Sequence, residues 1–421
     1  MATTPEPSSI LSFEEARRLV EHHAASLRPH GKELVELLDS AGQILAEPIL
    51  ADRHFPPFAR AMRDGYAVRA ADLSPLPAIL HIVGEIKAGV ASKDLPVVHA
   101  GQAASIMTGA PAPDGADAVV MVEYTRPDGD RVQIMKAVGA GDNIVAAASE
   151  ATRGERLLSP GLRLDYAAIA IAASTGRSRL LVYRKPQVAV LATGDEIVDI
   201  DVPPAVNQIR NSNSYSLAAQ VQSAGGEPVL LPIAPDEPAR LRELIADGLE
   251  ADLLLLAGGV SMGKYDLVEP ILAEFQAEFF FTGVRIQPGK PVVFGRIPRG
   301  AASTEASALH TYFFGLPGNP ISTMVTFELF ARPMIEALAG AAKRKVVFLK
   351  ARLKSEIKTK TGLTRFFPAI LLGEFENSEV ELAGWHGSGD LAAMARANCY
   401  VVVPPDRDRI PAGEWVPVMM M

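Results

Sequence analysis

Leu253-Leu254-Leu255-Leu256-Ala257, followed by Gly258-Gly259-Val260-Ser261, decides how this chain is read. Five apolar residues without alternation make a strand buried on both faces, and such strands belong to parallel sheets sheathed by helices. The two glycines then let the backbone of the following loop approach a ligand closely. The same design recurs on either side: residues 188–191 lead into Ala192-Thr193-Gly194-Asp195-Glu196, and 312–314 into Gly315-Leu316-Pro317-Gly318-Asn319-Pro320. Loops at strand C-termini share one edge of a parallel sheet, where α/β proteins bind ligands. Their N–H groups suit an anion and the neighbouring acids suit a divalent cation. A phosphate-bearing ligand with a metal beside it is expected at that edge.

Outward from these loops the strand/helix alternation continues. Helices are expected at 214–223 (stopped by Gly225-Gly226), 238–249 (with Asp236 as N-cap), 266–276 and 321–338, and strands at 228–233 and 291–295. This reads as a central doubly wound parallel α/β domain over 185–339. Residues 12–24 form an amphipathic helix opened by a Ser12/Glu15 capping box, with His22 and His23 read as solvated surface. Residues 34–50 read as strand and helix. Short β runs at 79–83, 103–107, 118–122 and 131–135, with an Asp128-Gly129 hairpin signal, indicate an inserted β domain over 52–147. An alanine-rich helix at 162–174 ends near Gly176. It is expected to pack with the N-terminal helix into one discontinuous domain (8–51 and 148–184). The β pattern after Lys343 suggests a C-terminal β-barrel over 340–421. The fold class is thus multidomain α/β plus β.

Composition sets the outer limits. A chain of 421 residues exceeds one ordinary core. Its net charge of −8 disfavours nucleic acid, whose backbone needs a basic face. No apolar run reaches the roughly 20 residues of a membrane span. The start of the chain has no secretory pattern and there is one cysteine, Cys399, so a cytoplasmic location is expected. Cys399 reads as a small buried hydrophobe.

Taken singly, Thr193-Gly194-Asp195-Glu196 is an ordinary turn and cap. The Gly258-Gly259…Ser261…Asp266 stretch is stronger: a glycine cradle with a hydroxyl and an acid at its mouth. Lys290, fenced by Pro288 and Pro291, is a plausible anchor for a phosphate or tetrahedral oxyanion. The glycines match neither a P-loop nor a dinucleotide fingerprint. No His/Cys set has zinc spacing. His54, His81, His99, His310 and His386 read as structural or surface residues.

These loops, in this order, resemble the molybdopterin molybdenumtransferase family, which includes the C-terminal domain of gephyrin. Arg63-Asp64-Gly65-Tyr66-Ala67, Ile106-Met107-Thr108-Gly109-Ala110-Pro111, Gly141-Asp142-Asn143-Ile144 and Gly387-Ser388-Gly389 add to the resemblance, which spans the chain from about residue 10. It implies four domains, with the discontinuous one elongated and helical and the β domain inserted in it, and a homodimer that inserts molybdenum from molybdate into adenylated molybdopterin, releasing AMP, with Mg2+ present. Asp64 and Thr108 would reach the cleft from the β domain of the partner. Glu196 would sit near the phosphoanhydride, and Asp236 and Asp266 would bind the cation. Ser261, Lys290, Ser322 and Ser388 would line the pterin-phosphate or molybdate site, with Gly194, Asp195, Gly258, Gly259, Pro317, Gly318, Asn319 and Pro320 around the ligand. A molybdopterin adenylyltransferase and molybdoenzyme chaperones are implied protein partners. Two other readings compete, an adenylyltransferase and a catalytically weak scaffold. Gln287, Gly283 and Leu363 stand where the family often has a basic residue, and 145–150 lacks its basic run. Weaker anion binding is expected unless Arg285 and Arg365 substitute.

Overall fold

The computed structural model describes residues 10–259, 267–299, 310–343, 346–374 and 376–421. They group into two compact units, Met1–Ala46 with Pro160–Leu164 and Leu180–Met421, and Glu47–Ser159 with Asp165–Arg179.

The first unit holds a six-stranded sheet. Its order is Glu227–Leu230, Gln187–Ala192, Leu253–Ala257, His310–Leu316, Val293–Pro298 and Glu278–Phe281. The first four strands are mutually parallel, as the apolar runs imply. Val293–Pro298 runs against both neighbours, so the sheet is mixed and not wholly parallel. Alternate residues serve opposite faces. Val188, Val190, Leu253 and Leu255 pack beneath the helices Ser212–Ala224 and Pro320–Thr326. Ala189, Leu191, Leu254 and Leu256 pack with Leu241, Leu244, Ile245, Ile271 and Leu272 of Pro238–Gly248 and Val268–Glu274. Both faces are dry, which is why these strands carry no polar alternation.

Several local expectations change. The helix Pro238–Gly248 is capped by Glu237, without a side-chain bond, and Asp236 lies outside it. Proline at the first helical position fixes the residue before it as the cap. The closing helix runs as Pro320–Thr326, a π turn at Phe327–Ala331, and Arg332–Leu338. Pro333 lacks the N–H that a regular turn needs there, which accounts for the widened ladder. The capping box of Phe13–Ser26 forms as read, with Glu15 N donating to Ser12 Oγ at 3.2 Å and Ser12 N to Glu15 Oε2 at 2.8 Å. His23 is not a solvated surface residue: its ring stacks on Phe280 at 4.0 Å and Nδ1 lies 3.2 Å from the Tyr312 hydroxyl. Residues 37–42 are turn, not helix; only the strands Lys32–Glu36 and Ile49–Leu50 form there.

In the C-terminal part of this unit five strands close into a barrel, Phe348–Leu353, Trp415–Met420, Cys399–Val403, Thr364–Leu372 and Glu379–Leu382. Ala351, Val380, Cys399, Val401 and Val418 fill it. The short strand Ile286–Gln287 joins Thr364–Leu372 in parallel.

The second unit is a six-stranded sheet ordered Ala118–Met121, Gly65–Val68, Gln102–Ile106, Ala78–Ile86, Arg131–Ile134 and Thr125–Asp128. Gly129 and Asp130 turn the expected hairpin, pairing Asp128 with Arg131. Cores form on both faces, around Tyr66, Val68 and Val120 on one and Ala67, Ala104 and Val119 on the other. The alanine-rich helix is shorter than its composition suggests, Tyr166–Ser174, because Asp165 caps it by accepting from Ala168 N at 2.9 Å.

Candidate functional site

The three strand-end loops of the α/β sheet are stitched to one another through their backbones. Thr193 N donates to Ala257 O at 3.1 Å, Gly258 N to Leu316 O at 3.1 Å, and Gly194 N to Ala234 O at 3.2 Å. Thr193 is buried and forms the floor under both glycines of the second loop. A methyl on Gly258 would lie 2.6 Å from Thr193 O, and one on Gly259 would lie 2.8 Å from Val268 Cγ2 and 3.0 Å from Thr193 Cγ2. Both glycines have positive φ, +100° and +64°, so close approach and conformation each demand glycine. Gly318 of the third loop sits against Gly258 Cα, at 3.6 Å from where its own methyl would be.

The acids follow from this frame. The Thr193 hydroxyl donates to Asp236 Oδ1 at 3.2 Å, and Asp236 N donates to Asp195 Oδ1 at 3.0 Å. Asp195 and Asp236 are therefore side by side and exposed. Gly194 has φ +147°, and a methyl on it would lie 2.6 Å from Glu196 Oε2 and 3.0 Å from Oε1. The Glu196 carboxylate is thus folded over the Gly194 backbone. Oxygen donors of this kind suit a hard cation. Among the described residues, however, no three acidic, His or Cys side chains gather in a metal-binding cluster. Ser261 and Asp266, expected at the mouth of the same loop, lie outside the described residues.

A second group of expected residues meets on the helix Pro320–Thr326. Ser388 O accepts from Ile321 N at 3.0 Å, and Ser322 is buried. Gly289, at φ +106°, packs its backbone on this helix: a methyl there would lie 2.4 Å from Thr326 Cγ2. That contact seats the Pro288-Gly289-Lys290 turn, and Lys290 is exposed. Pro317 is buried and its carbonyl accepts from the Thr323 hydroxyl, while Gly318 and Asn319 are exposed. Of the two arginines expected to replace missing cations, Arg365 is 4% exposed, donating from Nε to Gln287 Oε1 at 2.9 Å and from Nη1 to Leu363 O at 3.1 Å. Burial lowers its pKa. Arg285 instead faces Glu15 at 3.9 Å, both exposed.

Asp64 and Thr108 belong to the second unit, where they bond each other. Thr108 donates to Asp64 Oδ1 from its N–H at 2.6 Å and from its hydroxyl at 2.9 Å. Adjacent strands Gly65–Val68 and Gln102–Ile106 bring the two together. The backbone bond first, and the hydroxyl second, hold the Asp64 carboxyl below its ordinary pKa. Reasoning from sequence missed Asn213. It is 7% exposed and donates from Nδ2 to Gly318 O at 2.7 Å. The polar run Asn211-Ser212-Asn213 at a helix start was the available signal. A cavity of about 590 Å3 opens at the other edge of the sheet, among His30, Arg184, Gln187, Glu227 and Asp252, and contains none of the expected site residues.

Comparison with known proteins bears on this arrangement. Three family profiles match in sequence order: the MoeA N-terminal region (domain I and II) at 11–176, a probable molybdopterin binding domain at 189–337, and the MoeA C-terminal region (domain IV) at 350–421. A molybdopterin molybdenumtransferase of Nostoc sp. is 37% identical over 400 residues, covering 92% of this chain and 88% of the relative. That of Bacillus subtilis is 32% identical over 427 residues, 99% of this chain and 95% of the relative. The molybdopterin biosynthesis moeA protein from Pyrococcus horikoshii has a similar structure, with TM-score 0.74 and 27% identity over 98% of this chain and all of the other.

Proposed function

Because the chain belongs to the molybdopterin molybdenumtransferase family, we propose that it inserts molybdenum from molybdate into adenylated molybdopterin, releasing AMP and molybdenum cofactor. The single observation that carries this reading is the stitched sheet edge. Glycine backbones at 258 and 318 meet there beside the Asp195–Asp236 pair, with Glu196 folded over Gly194.

The chemistry needs little covalent help from the protein. Water adds across the phosphoanhydride: its oxygen bonds one phosphorus, the bridging P–O bond breaks with the bridging oxygen leaving on the other phosphate, and the two protons of the water pass to the separated phosphates or to solvent. Such a reaction is accelerated by an oriented nucleophile and by neutralised charge. Glu196 orients the water through its carboxylate. Backbone N–H groups of Gly259, Gly318 and Asn319, with Lys290, Ser322 and Ser388, are the donors for the phosphate and molybdate oxygens, and Ser261 is assigned to the same role. Gly258, whose N–H is taken by Leu316 O, contributes the close approach that its missing side chain allows. Pro317 and Pro320 hold the third loop rigid, and Gly194 and Asp195 shape the first. Asp236 and Asp266 are the carboxylates that would hold Mg2+, which supplies charge neutralisation at the phosphates.

The functional assembly in this reading is a homodimer in which Asp64 and Thr108 complete the cleft of the partner subunit. The four-domain division (8–51 with 148–184, 52–147, 185–339, 340–421) is its accompanying description. The test against an adenylyltransferase is incubation with ATP and molybdopterin. No pyrophosphate release is expected, and its appearance would replace this reading. Asp266→Asn is expected to abolish AMP release from a folded protein; full activity would remove Asp266 as a cation ligand.

A further inference from the structure

Asn213 occupies the first turn of the helix Ser212–Ala224, which Asn211 caps by accepting from Ser214 N. It is more than nine-tenths buried, and its two side-chain polar atoms have different fates. Nδ2 donates to Gly318 O at 2.7 Å. Oδ1 is shut away from solvent with no hydrogen-bond partner. A carbonyl can only accept, so the amide must present its NH2 group to Gly318 and leave its oxygen unpaired. Stability alone disfavours an unpaired buried acceptor. An apolar side chain of similar shape would avoid that cost but would leave Gly318 O without its donor.

The direction of the bond gives the reason. In a planar trans peptide the carbonyl oxygen and the following N–H point opposite ways. The Gly318–Asn319 peptide is trans. Fixing Gly318 O on Asn213 therefore turns the Asn319 N–H away from the helix start. Gly318 and Asn319 are both exposed, and among the described residues neither N–H has a hydrogen-bond partner. We infer that Asn213 is a positioning residue for ligand binding, which locks the 318–319 peptide so that the Asn319 N–H is presented to an anionic oxygen of the ligand. The inference rests on the proposed use of this loop by molybdopterin.

The test uses the full-length protein, wild type and Asn213→Asp, with molybdopterin as the binding probe. The ionised carboxylate cannot donate to Gly318 O, whereas the protonated form can. Burial beside a carbonyl raises the pKa of such a carboxyl. At pH 8 the variant is expected to bind molybdopterin about tenfold more weakly than wild type, the worth of one hydrogen bond. With saturating substrate its AMP-release rate is expected to stay near wild type. At pH 5.5 the affinity ratio of variant to wild type is expected to recover most of that loss. An unchanged affinity at pH 8 would overturn the inference. A loss of rate and affinity together without recovery at low pH would also overturn it, showing a merely structural role. Failure of the wild-type protein to bind molybdopterin would instead refute the proposed function itself.

Discussion

Gly194→Ala tests how the Glu196 carboxylate is placed. Gly194 has φ +147°, a region that residues with a side chain rarely occupy. Holding alanine there costs about 1–3 kcal/mol. The added methyl would meet Glu196 Oε2 at 2.6 Å, Cδ at 3.0 Å and Oε1 at 3.0 Å, and no atom beyond its immediate chain neighbours is closer. The obstruction is the far end of one exposed side chain, so the carboxylate swings away and the backbone stays. A domain stable by about 5–15 kcal/mol survives this, and the variant is expected to fold with a modestly lower urea midpoint. Its AMP-release rate is expected to fall about a hundredfold, the usual cost of losing a positioned acid–base group. Glu196→Gln should show a similar loss. Single-turnover AMP release from the double variant decides the cause. If Gly194→Ala acts through Glu196, the double variant is no slower than Glu196→Gln, within about threefold. Multiplied losses would refute the reasoning and show that the Gly194 backbone acts independently.

Three further outcomes follow from the geometry. Because the Thr108 bonds hold the Asp64 carboxyl below the ordinary aspartate range, the stability it contributes is complete above that range and is lost as pH falls through the lower folded value. NMR titration should place its midpoint below that of an unperturbed aspartate, and Thr108→Val should raise it only part of the way because the stronger backbone bond remains; a wild-type midpoint at or above that of an unperturbed aspartate would contradict the bonding. Cys399 is buried with its thiol pushed up to about 11, so it should resist iodoacetamide at pH 8 until the chain is unfolded; rapid labelling of the native protein would place it elsewhere. Leu255→Ala, in a strand residue with no exposed surface, should cost about 2–5 kcal/mol in urea unfolding of the α/β part, and a loss under 1 kcal/mol would mean that the sheet core is not packed as described.

Much of the α/β domain is legible in the sequence because its physics is local. Leu253–Ala257 has no polar residue to offer solvent, so burial on both faces and helical cover follow at once. Strand direction is different. Nothing in the periodicity of Val293–Pro298 states that it runs against its neighbours; that depends on the connection from Glu278–Phe281 and on which edge remains open. Asp236 reads as a cap by residue type, yet Pro238 makes Glu237 the cap and leaves Asp236 to bond Thr193 and Asp195. At the site, the glycine loops and their acids announce themselves, since positive φ and close approach leave a residue-type signature. The role of Asn213 and the burial of Arg365 do not. Each is defined by a partner more than 70 residues away, Gly318 and Gln287, and such pairings appear only once the chain is folded.

The central claim is tested most directly by AMP release from adenylated molybdopterin with Mg2+, with and without micromolar molybdate. Release that depends on molybdate, and a product that activates a cofactor-free molybdoenzyme, is the expected result. No release from a folded protein under either condition would contradict the account.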